Sequence, residues 1–180
     1  MSNYTIPTPK DRMMFVDVTP KGESRTYERV GKGFDSATPS TNTQTKVMQW
    51  LDEKNGSTAL TTKSIQKAIS GQRAVGDPFN DYFCSMFDKV GADAETTMIL
   101  VDAWNEETET PGTYKAKKYN VVVDCTNDGG GAVADGLLIE GIIYVNGDPV
   151  EGTFVEATKT FTEGMAEREK NSTLGMPGSS

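Results

Sequence analysis

Hydrophobic and polar positions alternate with a period of two over much of this chain. The most regular stretch is "GLLIEGIIYVNGDPVEGTF" (136–154). Such alternation marks a strand with its two faces in different surroundings. Asn146-Gly147 lies between two alternating runs, and Asn-Gly favours a two-residue hairpin turn with both residues at positive φ. Asp148-Pro149 follows at the start of the return strand, where proline is tolerated. Leu137, Ile139, Ile143 and Val145 make one apolar set; Leu138, Ile142 and Tyr144 make a second on the opposite face. Alternation alone leaves open which set faces the core. A strand with apolar residues on both faces needs cover on both, from a helix or from a neighbouring subunit. Leu138, Ile142 and Tyr144 are therefore candidate subunit-interface residues.

The same reading applied along the chain predicts a β protein. "MMFVDV" (13–18) and "RTYERV" (25–30) form a hairpin bent at Pro20 and Gly22. Around Ile65 and Ile69, "KSIQKAISGQRAV" (63–75) reads as a strand. Asp77 is a good N-cap with Pro78 at the first helical position, and Phe79, Phe83, Met86, Phe87 and Val90 follow at helical spacing up to Gly91. This predicts a helix over about 77–90. "TTMILVDAW" (96–104) and "TYKAKKYNVVVDCT" (113–126) are strands, "NDGGGAVAD" is a glycine-rich turn, and "TKTFTE" adds a short last strand. The sum is roughly eight strands and one helix. With short connections between strands, antiparallel pairing is favoured: a β-sandwich or partly closed barrel with one flanking helix.

Two regions break the pattern. From about 35 to 62 the chain is rich in Gly, Ser and Thr and reads as a long loop, and loops of that length in compact domains are often functional. It carries an apolar patch, Val47, Met48, Trp50 and Leu51, which with Phe34 and Asp35 is the candidate contact loop. Residues 1–12 read as an N-terminal arm, 13–163 as the domain, and 164–180, polar and ending in Gly, Pro and Ser, as a flexible tail.

Composition narrows the function classes. The chain has 180 residues, a formal net charge of -8 and no histidine. The charge argues against tight phosphate-backbone binding and against docking on anionic lipid. A chain without histidine has no His-based acid-base catalysis, no Ser-His-Asp or Cys-His arrangement and no imidazole metal site. Cys84 and Cys125 form no zinc pattern and read as small buried hydrophobes. Gly129-Gly130-Gly131-Ala132-Val133-Ala134 matches a loose dinucleotide fingerprint, but a strand follows where a helix is required. No catalytic residue, cofactor or metal is expected. The N-terminus shows no hydrophobic signal segment and no run is long enough to span a bilayer, so the expectation is a protein made in the cytoplasm and kept off membranes.

Four stretches carry a resemblance: "FVDVTPKGESRTYERVGKGFDSATPSTN" (15–42), "GDPFNDYFCSMFDKVGADAETT" (76–97), "GTYKAKKYNVVVDC" (112–125) and "VNGDPVEGTFVEATKTFTEG" (145–164). In that order and spacing the chain resembles the major tail protein, or tail tube protein, of long-tailed phages and prophages of Gram-positive bacteria. Residues 46–60 fall in a stretch that varies within this family, and the chain after Glu163 lies outside the resemblance. The resemblance implies hexameric rings that stack into a tube through loops and terminal arms, which makes Phe34, Asp35, Val47, Met48, Trp50 and Leu51 the candidate ring-stacking loop. It also implies a virion location, and tape-measure and terminator or baseplate proteins as partners. Genomic DNA would pass down an acidic lumen without specific binding. A rival reading is a monomeric β-sandwich binding module for carbohydrate or protein, which predicts an aromatic cluster around Trp50, Trp104 or Tyr144.

Overall fold

The computed structural model describes residues 6–22, 24–52, 54–132 and 135–164. After a single 3-10 turn at Pro9–Asp11 the strands are β1 (Arg12–Asp17), β2 (Tyr27–Arg29), β3 (Phe34–Met48), β4 (Ser57–Gln72), β5 (Glu95–Glu106), β6 (Thr113–Gly130), β7 (Leu138–Val155) and β8 (Thr160–Glu163). Helix α1 (Pro78–Cys84) lies between β4 and β5. All pairings are antiparallel, in the order β2-β1-β5-β6-β7-β4-β3, with β8 also on β7. β7 is long enough to hold two neighbours on one edge: β4 along Leu138–Val145 and β8 along Gly152–Val155. This is the expected antiparallel β architecture with one helix on its flank, and the sheet does not close into a barrel.

Two cores lie on opposite faces of this sheet. On the first face Met14, Val16, Met98, Val121, Val123, Ile139, Ile143 and Ile69 meet Phe79, Phe83 and Met86 from the helical segment. On the second face Met13, Phe15, Tyr27, Ile99, Val101 and Ala116 meet Phe154, with Tyr114 and Phe161 packed against them. Successive residues of β1 and of β5 go to different cores, which is why both read as unbroken apolar runs rather than alternating ones. The second core exists because β6 and β7 bend until their far halves, with β8, cover the face of β1 and β5. Ion pairs from Glu156 to Arg29 and from Lys159 to Glu28 tie the β7–β8 turn to β2. Each fully buried large side chain contributes about 1.5–3 kcal/mol of transfer free energy.

Three expectations change in detail. Asn146-Gly147 is not a hairpin turn, because β7 runs straight through it. Asn120 faces Asn146 and Lys118 faces Val150, so Gly147–Pro149 bulge out opposite one residue, with Gly147 at φ 70. A bulge bends and twists its strand, and here it turns β7 from the first core towards the second. The predicted loop 35–62 is a β-hairpin, β3 and β4 joined by a turn over 49–56. Its β-branched threonines suit extended backbone, yet both faces are wet, so no apolar period announced it.

The helix stops at Cys84 rather than at 90. Beyond it Met86, Phe87 and Lys89 donate backbone bonds only three residues back, and the Ser85 hydroxyl donates to the Tyr82 carbonyl. Phe87 and Val90 are exposed, so no burial pulls that segment into a further helical turn. The helix start is as expected: Asp77 accepts from the Asn80 N–H at 3.0 Å, with Pro78 behind it. Residues 1–5 of the arm and the tail from 165 lie outside the described residues.

Both cysteines are free thiols. Burial, and then the neighbouring Cys84, pushes the Cys125 thiol up to about 12, in line with a packing rather than a reactive role.

Candidate self-association surface

The pairing of β4 with β7 ends at Ile65 and Val145. Outward from there β3 and β4 pair only with each other, through Asn42–Ser64 to Met48–Ser57. This is an arm of roughly 20 Å at the usual rise per residue. An isolated two-stranded ribbon is at best marginally stable in water. This one nevertheless carries Val47, Met48, Trp50, Leu51 and Leu60 in the open, with Val47 and Trp50 each 65% exposed and Leu60 71%. Lone exposed apolar residues are ordinary; several on one small projection make it the candidate contact surface.

The faces of this arm differ. Thr45 pairs with Leu60 and Val47 with Thr58, placing Val47 and Leu60 in the phase of Ile65, on the side of the first core. Between them on that face stand Lys63, Thr41, Thr43 and Thr45, so the apolar face of the core gives way to a polar stretch beyond Ile65 and resumes as an isolated patch, Leu60 and Val47, near the tip. The opposite side of the sheet, nearer the body, is polar. Ser36, Thr38 and Ser40 of β3 pair with Ser70, Ala68 and Gln66 of β4. These in turn face Glu140, Ile142 and Tyr144 of β7, with Asp124 of β6 beside Ile142. A shallow groove there is lined by Ser36, Thr38, Ala68, Ser70, Thr126, Glu140 and Ile142. In these rungs the charged side chains are Asp124 and Glu140, both exposed and both acidic.

The expected contact residues separate accordingly. Val47, Met48, Trp50 and Leu51 gather at the tip of the arm. Asp35 sits at the opposite, body end of β3, accepting from the Ser70 hydroxyl at 3.3 Å. Phe34 belongs elsewhere: its ring lies 5.3 Å from Phe79 and 5.5 Å from Phe83, inside the first core. Ile139 and Ile143 face that core fully buried, and Val145 packs against it. Leu137 precedes β7 and is exposed. Leu138 is exposed and Ile142 and Tyr144 are half-buried, all on the polar side.

Sequence reasoning missed Leu60, placed in the supposed loop, and Lys67, which stands in phase between Ile65 and Ile69 and is buried. That phase was the available signal. Trp50, Trp104 and Tyr144 occupy three separate elements. Trp104 lies under the Arg12 guanidinium, 5.4 Å from its ring centre, and no aromatic cluster joins the three among the described residues.

No protein-family model matches the sequence, and no curated protein matches it. Solved structures do share the fold. A chain from the tail of an empty gene transfer agent particle, computed with helical refinement and C6 symmetry, superposes with a TM-score of 0.54 at 16% identity, over 80% of this chain and 97% of that one. A chain from the virion of a native gene transfer agent particle superposes with a TM-score of 0.53 at 15% identity, over 87% of this chain and 99% of that one. At such identity the common property is the fold.

Proposed function

We propose that this chain is the structural subunit of a phage-like tail tube, in which copies close into hexameric rings and the rings stack around a channel for genomic DNA. The observation that carries the reading is the β3–β4 arm: a two-stranded projection from the sheet with Val47, Met48, Trp50, Leu51 and Leu60 exposed together at and near its tip. A fold shared over nearly the whole of a C6-symmetric particle tail chain supports the same reading.

In this reading the core-side face of the arm lies on a neighbouring copy, and Val47, Trp50, Leu51 and Leu60 are its anchors. The polar side, with Ser36, Thr38, Ser40, Asp124, Glu140 and Tyr144, faces the channel. Two carboxylates and no ammonium or guanidinium in those rungs repel phosphates, and nucleic-acid affinity depends on phosphate neutralisation by cations. Such a subunit does no chemistry. Its location is the virion, and its partners are first of all copies of itself.

The test is negative-stain imaging and sedimentation of the full chain across a concentration series. Rings or tubes of constant diameter are the expected product. A species that stays monomeric at every concentration overturns the assembly reading.

A further inference from the structure

Lys67 stands on β4 between Pro39 of β3 and Ile143 of β7, and its residue is only 7% exposed. Lysine is almost never buried without a partner. The charged and titratable groups sharing its face are Lys63 of β4, Arg12 of β1, Asp102 of β5, and Lys117 and Tyr119 of β6, with Glu151 of β7 further out. β3 and the near half of β7 bring none. Both carboxylates of this set are engaged. Asp102 accepts from Arg12 at 2.7 Å and 3.4 Å, and Glu151 pairs with Lys117 at 3.2 Å. Lys67 forms no ion pair among the described residues, although Asp102 attracts it from a distance and Arg12 repels it.

This unpaired cation stands at the root of the arm, on its core-side face. Ile65, then Lys63 and the threonines of β3, then Leu60 and Val47 follow outward on the same face, so a neighbour laid along that face reaches Lys67. The chain carries 26 acidic against 18 basic residues, so a second copy is well supplied with the missing charge. We propose that the Lys67 ammonium is the receptor for a carboxylate of a second copy docked along this face of the arm. The proposal rests on the assembly reading above and names the polar contact that orients it.

A pH dependence follows. Burial, and then Arg12, brings the Lys67 amine down to about 8 in the free subunit. A carboxylate delivered by the neighbour raises it again. The contribution to assembly is therefore full below about pH 8 and is lost as the pH climbs through the higher, assembled value.

The experiment compares full-length wild type, K67M and K67R by the critical concentration for assembly between about pH 7 and about pH 9.5, and by the melting temperature of the unassembled subunit. For the wild type the critical concentration should rise at least about tenfold across that range, the scale on which a desolvated interface charge pair is lost. K67M should require at least about tenfold more protein at neutral pH, with a flat profile and a melting temperature equal to or above wild type. K67R, which stays charged, should assemble at neutral pH and also lose the pH dependence; it remains decisive if K67M fails to fold. Wild-type-like assembly and profile in K67M or K67R overturn this proposal alone. Absence of any self-association in the wild type overturns the assembly reading and this proposal with it.

Discussion

Phe15 of β1 and Phe154 of β7 meet with ring centroids 4.6 Å apart and planes inclined at 43°. Their strands lie three places apart in the sheet order, so the contact forms only because β6 and β7 bend back over the face of β1 and β5. It is the closure of the second core. Phe154→Ala should therefore cost about 3–5 kcal/mol, the range for a fully buried phenylalanine whose cavity cannot collapse. Denaturant unfolding of the isolated subunit measures it. A loss below about 1 kcal/mol would place the bend elsewhere.

Asp17 organises the β1–β2 turn. Its carboxylate is fully buried and accepts from the backbone N–H groups of Thr19 at 3.0 Å and Thr26 at 3.1 Å, and from Arg25 at 2.9 Å. Hydrogen bonds to a charged acceptor contribute more than neutral ones, and removing the acceptor strands the donors. Asp17→Ala should lower subunit stability by about 2–4 kcal/mol. Arg25→Ala should cost less, because that guanidinium is half in water, where ion pairs contribute about 0–1 kcal/mol. Equal losses from the two substitutions would overturn this division.

Gly141 lets two elements touch. A Cβ built there would stand 2.1 Å from the Asp124 carbonyl oxygen and 2.7 Å from the Phe83 ring. One neighbour is the backbone of β6 and the other a fully buried ring of α1, so neither yields cheaply. Gly141→Ala should cost at least the 1–3 kcal/mol typical of overpacking and should loosen the helix from the sheet. Faster amide exchange along Phe79–Phe83 is the corresponding signature. Unchanged exchange there would show that the sheet, and not the helix, absorbs the strain.

What the sequence disclosed follows the physics of burial. β1, β5 and the helix start were legible because apolar runs, Asp77 and Pro78 act locally. The β3–β4 hairpin was not, because strands wet on both faces carry no apolar period. Asn146-Gly147 misled because the dipeptide serves a bulge as well as a turn, and only pairing across to β6 distinguishes them. Phe34 looked like part of a mobile loop because its partners, Phe79 and Phe83, are remote in sequence. That Val47, Met48, Trp50 and Leu51 form an apolar patch was legible, since apolar residues in an otherwise polar stretch stand out wherever that stretch lies; the structure shows the patch exposed. Leu60 and Lys67 were not, because their significance depends on the register that brings them onto one face.

The role in assembly proposed for the arm is separable from folding, and substitution can show it. Val47, Trp50 and Leu60 are exposed and contribute to neither core. Exposed substitutions away from special features change stability by about 0.5 kcal/mol or less, so the triple variant V47S/W50S/L60S should unfold at nearly the wild-type denaturant concentration. Its assembly should fail, because aromatic and aliphatic anchors in the centre of an interface carry most of its binding energy, at 2 kcal/mol or more for the roughly three strongest. Sedimentation beside the wild type across the same concentration series gives the comparison. A variant that still assembles would show that the arm is not the contact surface, and a variant that melts early would show that the arm packs within its own subunit.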